Sequence, residues 1–248
     1  MLEYSRLINE TENAIKWIKD YVEKTNANGV VIGNSGGKDS ATVIAMATKA
    51  LGKDKVLTVA MPCNSIEEDL LDAKLVSNTF GVKLKIVDLS TTYKELENSI
   101  DDEISDESKI NIKPRLRMTT LYAIAQSKGY LVVGTSNLCE RMVGYTTKWG
   151  DSAADFNPIG NFTVDEVLEI GKYLEVPEKI INKAPSDGLG KLTDEEKMGV
   201  TYKQIAELIE TGKTDLDAME IIKRQNIVSS HKRKQVPIYE FERDMHLN

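Results

Sequence analysis

Six consecutive residues, Ser35, Gly36, Gly37, Lys38, Asp39 and Ser40, follow directly on the apolar run Val30-Val31-Ile32 and on Gly33-Asn34. The glycines let the backbone turn sharply and approach a ligand closely. A turn of this kind that opens a helix aims free N–H groups and the positive end of the helix dipole at the same point. Ser35 and Ser40 add hydroxyl donors. The whole suits an anion, most simply a phosphate. Asp39 would repel a phosphate unless a cation lay between them, so its carboxylate points to Mg2+. A Walker A loop does not account for the pattern. Where that loop requires glycine before its lysine, Lys38 already stands, followed by Asp39. The plain alternative is a tight strand-to-helix turn capped by Asp39, which would not call for two serines, two glycines and a carboxylate together.

Such residues need a strand before them and a helix after them, and the sequence supplies both. Residues 4–25 carry apolar positions Leu7, Ile8, Ala14, Ile15, Ile18, Tyr21 and Val22 at helical spacing. Residues 29–34 read as a buried strand and 39–51 as a helix. A second strand is expected over 55–62, and Ser65 with Glu68 predicts a capping box for a helix ending near Thr79. A third strand over 82–90 is followed by a helix over 91–100. The acidic stretch 101–108 reads as a solvated loop. A helix over 114–128 and a strand over 130–137 complete the alternation. Strands alternating with helices imply right-handed crossovers, a parallel sheet and a three-layer α/β/α architecture. Residues 138–163 show no periodic element and are long for a structureless connection, which points to function. Helices are expected over 163–174, 177–182, 198–211 and 215–225. A mobile lid is expected at 184–197, rich in Pro, Gly and charge.

Bulk properties narrow the class. The chain has 248 residues, 41% hydrophobic and 29% charged, with a net charge of −7. That balance disfavours a nucleic-acid partner. No apolar run reaches the roughly 18 residues that span a bilayer, so no membrane partner is expected. Cys63 and Cys139 are far apart, which argues against a disulfide framework and fits a cytoplasmic setting. One domain over 1–248 is expected.

Ser35-Gly36-Gly37-Lys38-Asp39-Ser40 resembles the SGGxDS signature of the ATP pyrophosphatase, or PP-loop, superfamily. The resemblance implies a loop that grips the β- and γ-phosphates as leaving pyrophosphate, with attack on the α-phosphorus. Beyond the loop, "GTSNLCERMVGYTTKWGDSAADFNP" (134–158), "KPRLRM" (113–118), "KAPSDGL" (183–189), "DEEKMGVTYKQI" (194–205) and "SHKRKQVP" (230–237) resemble, in order, segments of NAD synthetases. The resemblance covers about residues 5–240. It implies an ammonia-dependent ligase that makes NAD+ from deamido-NAD+ through an adenylate. Asp39 and Glu140 would ligate Mg2+. Gly33, Asn34, Ser35, Gly36, Gly37, Lys38, Asp39, Ser40, Thr135 and Ser186 would contact ATP as co-substrate. Ser35, Asp39 and Ser40 would act directly on the departing pyrophosphate. Arg115, Lys148, Asp155, His231 and Lys232 would hold deamido-NAD+. A homodimer is implied.

There are departures from the family pattern. Val164 stands where an ATP-contacting lysine is usual, Ser186 where threonine is usual, and "SNLCE" (136–140) replaces Asp-x-Ala-Ala-Glu. Cys139 is expected to pack, and so is Trp149, which replaces a tyrosine. With no room for a glutaminase in the chain, free or delivered ammonia is expected. Other PP-loop chemistries stay open: GMP synthetase-type or tRNA-thiolating adenylation, or a non-catalytic adenine-nucleotide sensor.

Overall fold

The structure, a computed structural model, describes residues 1–100, 102–183 and 193–239. Helix α1 (Tyr4–Lys24) leads into β1 (Gly29–Gly33), and the loop that follows opens α2 (Lys38–Leu51). Then come β2 (Val56–Ala60), α3 (Glu67–Thr79), β3 (Lys83–Ile86), α4 (Ser90–Ser99), α5 (Asp106–Lys128) and β4 (Tyr130–Val133). Among the described residues these strands form one parallel sheet in the order β3-β2-β1-β4. Strand β1 is central and wholly apolar on both faces, with Val30, Val31 and Ile32 fully buried, as a covered parallel strand requires. Helices α1 and α2 bury Leu7, Ile15, Ile18, Ile44 and Met46 on one face. On the other, α5 and the ends of β2 and β4 gather Val31, Leu57, Val59 and Val132 around Tyr93 and Ala125. The three-layer α/β/α expectation holds.

Past β4 the chain forms α6 (Leu138–Val143), α7 (Val164–Tyr173), α8 (Glu178–Ile181), α9 (Asp194–Met198), α10 (Tyr202–Thr211) and α11 (Leu216–Val228), then a 3-10 turn, Ser229–Lys232. A third apolar cluster joins Cys139 and Val143 of α6 to Val164, Met198, Ile205 and Ile222. This cluster fixes the C-terminal helices over the end of the sheet.

Four expectations fail locally. Helix α5 starts eight residues earlier than expected, capped by Ser105, whose side chain accepts from the Ser108 N–H at 3.2 Å. Pro114 sits inside this helix, buried, rather than at its start. Ser65 does not cap α3. Its Oγ instead accepts from Cys63 N–H (3.2 Å) and Arg117 Nη2 (3.3 Å), and α3 begins at Glu67 with Glu67, Glu68 and Asp69 in its first turn. Those acids suit the positive end of the dipole without a cap. Strand β3 is only four residues long, with Lys83 and Lys85 along an exposed edge, a common way to blunt an edge strand.

Candidate functional site

In this sheet, β2 and β3 lie to one side of β1 and β4 to the other. The chain therefore changes direction between β1 and β4, and open α/β sheets bind ligands beyond the carboxyl ends of such a pair. The two loops that meet there are residues 34–37 and residues 134–137.

The first loop is built around Asn34. Its side-chain nitrogen donates to Ala73 O (2.9 Å) and Ser77 Oγ (3.1 Å) of α3, while its oxygen accepts from Gly36 N–H (3.1 Å). Asn34 is buried, and its side chain shapes the loop rather than facing a ligand. Gly36 takes φ +76°, and a Cβ there would come within 2.7 Å of Asp69 O and Asp72 Cβ. The Ser35 and Ser40 hydroxyls lie 3.1 Å apart, Ser40 donates to Gly37 O (3.0 Å), and Ser35 accepts from Gly37 N–H (3.2 Å). These hydroxyls satisfy one another here. Rotation about a single bond turns either toward a phosphate. The first N–H groups of α2 have no acceptor within the helix and face the same mouth.

The second loop delivers Glu140 through a capping box. Asn137 Oδ1 accepts from Glu140 N–H (3.0 Å), and Glu140 Oε2 accepts from Asn137 N–H (2.9 Å). The other end of the Asn137 amide donates to Asp39 Oδ1 at 3.1 Å. One asparagine thus holds both acids assigned to the metal. Burial, and then the Asp39 carboxylate, push the Glu140 carboxyl well above its ordinary 4.5. Two carboxylates held this way fit a hard cation that completes its shell with water and phosphate oxygens, as Mg2+ does. Among the described residues no group of three or more His, Cys, Asp or Glu is placed for an all-protein metal site. Asn137→Ala is expected to cost about 1–2 kcal/mol of stability through the lost cap and the orphaned acid, read as a lower urea midpoint.

The residues assigned to the second substrate divide. Arg115, on α5, donates from Nε to the backbone oxygen of Lys148 (3.3 Å), so its guanidinium rests on the loop that carries Lys148. Lys148 lies 5.4 Å from the centroid of Trp149, which is 54% exposed with φ +60°. Trp149 therefore does not pack as expected. Lys232 reaches the same loop, donating to Gly144 O (2.8 Å) and Thr146 O (2.6 Å). It lines a cavity of about 350 Å3 together with Gly134, Ser136, Asp151, Asn157 and Arg233. His231 stands exposed on the turn beside it. The Asp155 carboxylate is engaged by Val132 N–H (2.7 Å) and Tyr122 OH (3.3 Å). It extends the sheet edge at β4 as much as it faces solvent. Thr135 is half-buried in the loop after β4. Ser186 lies outside the described residues.

With this geometry in place, comparison with known proteins is decisive. The NAD synthase family model matches residues 10–243. The chain belongs to the NAD synthase family. It is 43% identical over 236 residues to an NH(3)-dependent NAD(+) synthetase of Carboxydothermus hydrogenoformans, spanning 92% of this chain and 97% of that protein. It is 39% identical over 243 residues to an NH(3)-dependent NAD(+) synthetase of Finegoldia magna, spanning 98% and 99%. Among solved structures, an NMN synthetase from Francisella tularensis superimposes with a TM-score of 0.90 at 34% identity, covering 95% of this chain and 99% of that one. An NH3-dependent NAD synthetase from Campylobacter jejuni does so at 0.79 and 28% identity, covering 97% and 100%.

Set in the family, several residues that sequence reading passed over acquire a place. Asn137 is the link between the two acids, and its Asn-x-x-Glu spacing to Glu140 was the available signal. Asp72 is fully buried and paired with Lys179 and Lys183, each at 2.7 Å, which ties α3 and the glycine loop behind it to α8 and the residues just past it. Asp194 accepts from Tyr145 OH (3.1 Å) and Tyr202 OH (3.3 Å). Val164 is 6% exposed in the third apolar cluster, so its side chain serves packing. Cys139 is fully buried, and burial raises its thiol to about 11, as expected of a packing residue.

Proposed function

We propose that the chain catalyses ATP-dependent amidation of deamido-NAD+ by ammonia, releasing NAD+, AMP and pyrophosphate. The observation that carries this reading is the Asp39–Asn137–Glu140 junction at the mouth of a phosphate loop, in a chain of the NAD synthase family. A nicotinate carboxylate oxygen attacks the α-phosphorus of ATP, and the bond from that phosphorus to the β-phosphate oxygen breaks. Ammonia then attacks the acyl carbon, one proton is lost, and AMP leaves. The Ser35–Ser40 loop and the first N–H groups of α2 hold the departing pyrophosphate, where fixed donors act most strongly. Asp39 and Glu140 would hold Mg2+. Bound there, the ion would neutralise charge developing on that pyrophosphate. Arg115 and the loop residue Lys148 that it touches offer cations for a substrate phosphate, and Lys232 fixes the loop that carries Lys148.

The reading includes a homodimer, a cytoplasmic setting supported by two free buried cysteines, and one catalytic domain over 1–248. Of the lid segment 184–197, residues 194–197 lie in α9 and 184–192 lie outside the described residues. No helix among the described residues is long and apolar enough to cross a membrane.

A second reading rests on one observation: the TM-score of 0.90 to an NMN synthetase. On that reading the acyl substrate is nicotinate mononucleotide. Comparison of kcat/KM for the two acids, with ATP, MgCl2 and ammonium chloride, decides between them. The proposal expects at least about tenfold preference for deamido-NAD+. The reverse preference would replace it.

A further inference from the structure

The lysine within the loop raises a question that phosphate binding does not answer. Lys38 is 8% exposed, and its Nζ lies 3.3 Å from Asp39 Oδ2. The Tyr202 ring is 5.9 Å from the same nitrogen, and Tyr202 OH in turn donates to Asp194. Burial alone lowers the affinity of this ammonium for its proton. Asp39, Glu140 and Asp194 outweigh that and raise it, in that order. The ammonium is buried against the Asp39 carboxylate, with the Tyr202 ring on another side. A buried cation so placed is costly unless its partners need it. Here they do: Asn137 holds Asp39 and Glu140 together, and without a cation each repels the other.

We propose that Lys38 is a built-in counter-cation of the Asp39–Glu140 pair, so that it holds the pair together in metal-free protein and competes with a divalent ion for it. This inference rests on the reading of Asp39 and Glu140 as the divalent-ion site. Lys38 is a positioning residue in this role. It sets how tightly the pair takes an ion, because a fixed charge a few ångströms away opposes a second positive charge even at an effective dielectric near 20.

The test uses the full chain at pH 8 with Mn2+ alone as probe, its free concentration read by electron paramagnetic resonance, and Tm measured in EDTA. Lys38→Gln is expected to bind Mn2+ at least about tenfold more tightly than wild type. In EDTA its Tm falls, since removing one partner leaves buried acids uncompensated. Adding Glu140→Gln to Lys38→Gln restores Tm, and the gain exceeds that from Glu140→Gln in wild type, a coupling that a merely structural lysine does not produce. Unchanged or weaker Mn2+ binding by Lys38→Gln, with additive effects on Tm, overturns the inference and leaves the metal site intact. Equal Mn2+ binding by wild type and Glu140→Gln overturns the metal site itself. Should Lys38→Gln alone not fold, recovery of fold in Lys38→Gln/Glu140→Gln supports the inference, and failure of the double variant too overturns it.

Discussion

Glutamine in place of Glu140 is expected to slow catalysis sharply and at the same time make the metal-free protein more stable. The substitution keeps an oxygen that accepts from Asn137 N–H, the contact now made at 2.9 Å, so the cap of α6 survives. It removes a charge that burial and Asp39 disfavour. The sign follows from the raised carboxyl. Stability that its protonated form contributes is fully present below the ordinary value of 4.5 and is lost as pH rises through the elevated one. In EDTA the Tm of wild type therefore falls relative to the glutamine variant as pH rises above the carboxylate range. Each 1 kcal/mol of relieved repulsion is worth about 2–4 °C in a chain of this size. Turnover with MgCl2, by contrast, is expected to fall about 10²–10³-fold, the scale for loss of one fixed electrostatic contribution to a transition state. A variant that keeps near-normal turnover removes Glu140 from the machinery. One whose metal-free Tm drops at every pH shows that the acid is structurally satisfied.

The second large effect belongs to Gly36. Alanine there meets two penalties. The left-handed backbone at φ +76° costs a non-glycine residue about 1–2 kcal/mol. The new methyl would also lie 2.7 Å from Asp69 O and from Asp72 Cβ, atoms of a helix that Asn34 and the buried Asp72 ion pairs hold in place. Neither neighbour is the far end of a flexible side chain. The loop or α3 must move, and a loss of about 2–4 kcal/mol with at least about 10²-fold lower turnover is expected. Gly37 is the control. Its φ is −91°, and an added Cβ meets only the Ser35 Oγ, at 3.2 Å. Gly37→Ala should keep stability within about 1 kcal/mol of wild type in urea titration. Equal destabilisation at both positions would show that the left-handed turn is not what fixes the loop.

The two halves of the site differ in how far the sequence exposes them. Strand β1, the glycine loop and α2 are legible because a short apolar run, paired glycines beside serines, and helical spacing are all local signals. The α/β order follows in the same way. Where the reading failed, a tertiary partner outbid a local pattern. Ser65 has the spacing of a cap, but Arg117 and the Cys63 N–H take its oxygen. Pro114 reads as a helix start, yet α5 runs through it from Asp106. Helix α6 is only six residues long, too short for periodicity to reveal, although the Asn137–Glu140 cap marks its start. Asp39 and Glu140 could be paired from sequence only by resemblance. The amide that joins them depends on which loops the sheet brings together.

The central claim is that a substrate carboxylate attacks the α-phosphorus of ATP. Deamido-NAD+ labelled with 18O in its carboxylate tests this most directly. In a reaction with ATP, MgCl2 and ammonium chloride, mass spectrometry of the products should find one 18O transferred to the phosphate of AMP, with pyrophosphate unlabelled and NAD+ formed in equal amount. Formation of ADP with label in inorganic phosphate would contradict the account and move the reaction to the γ-phosphorus.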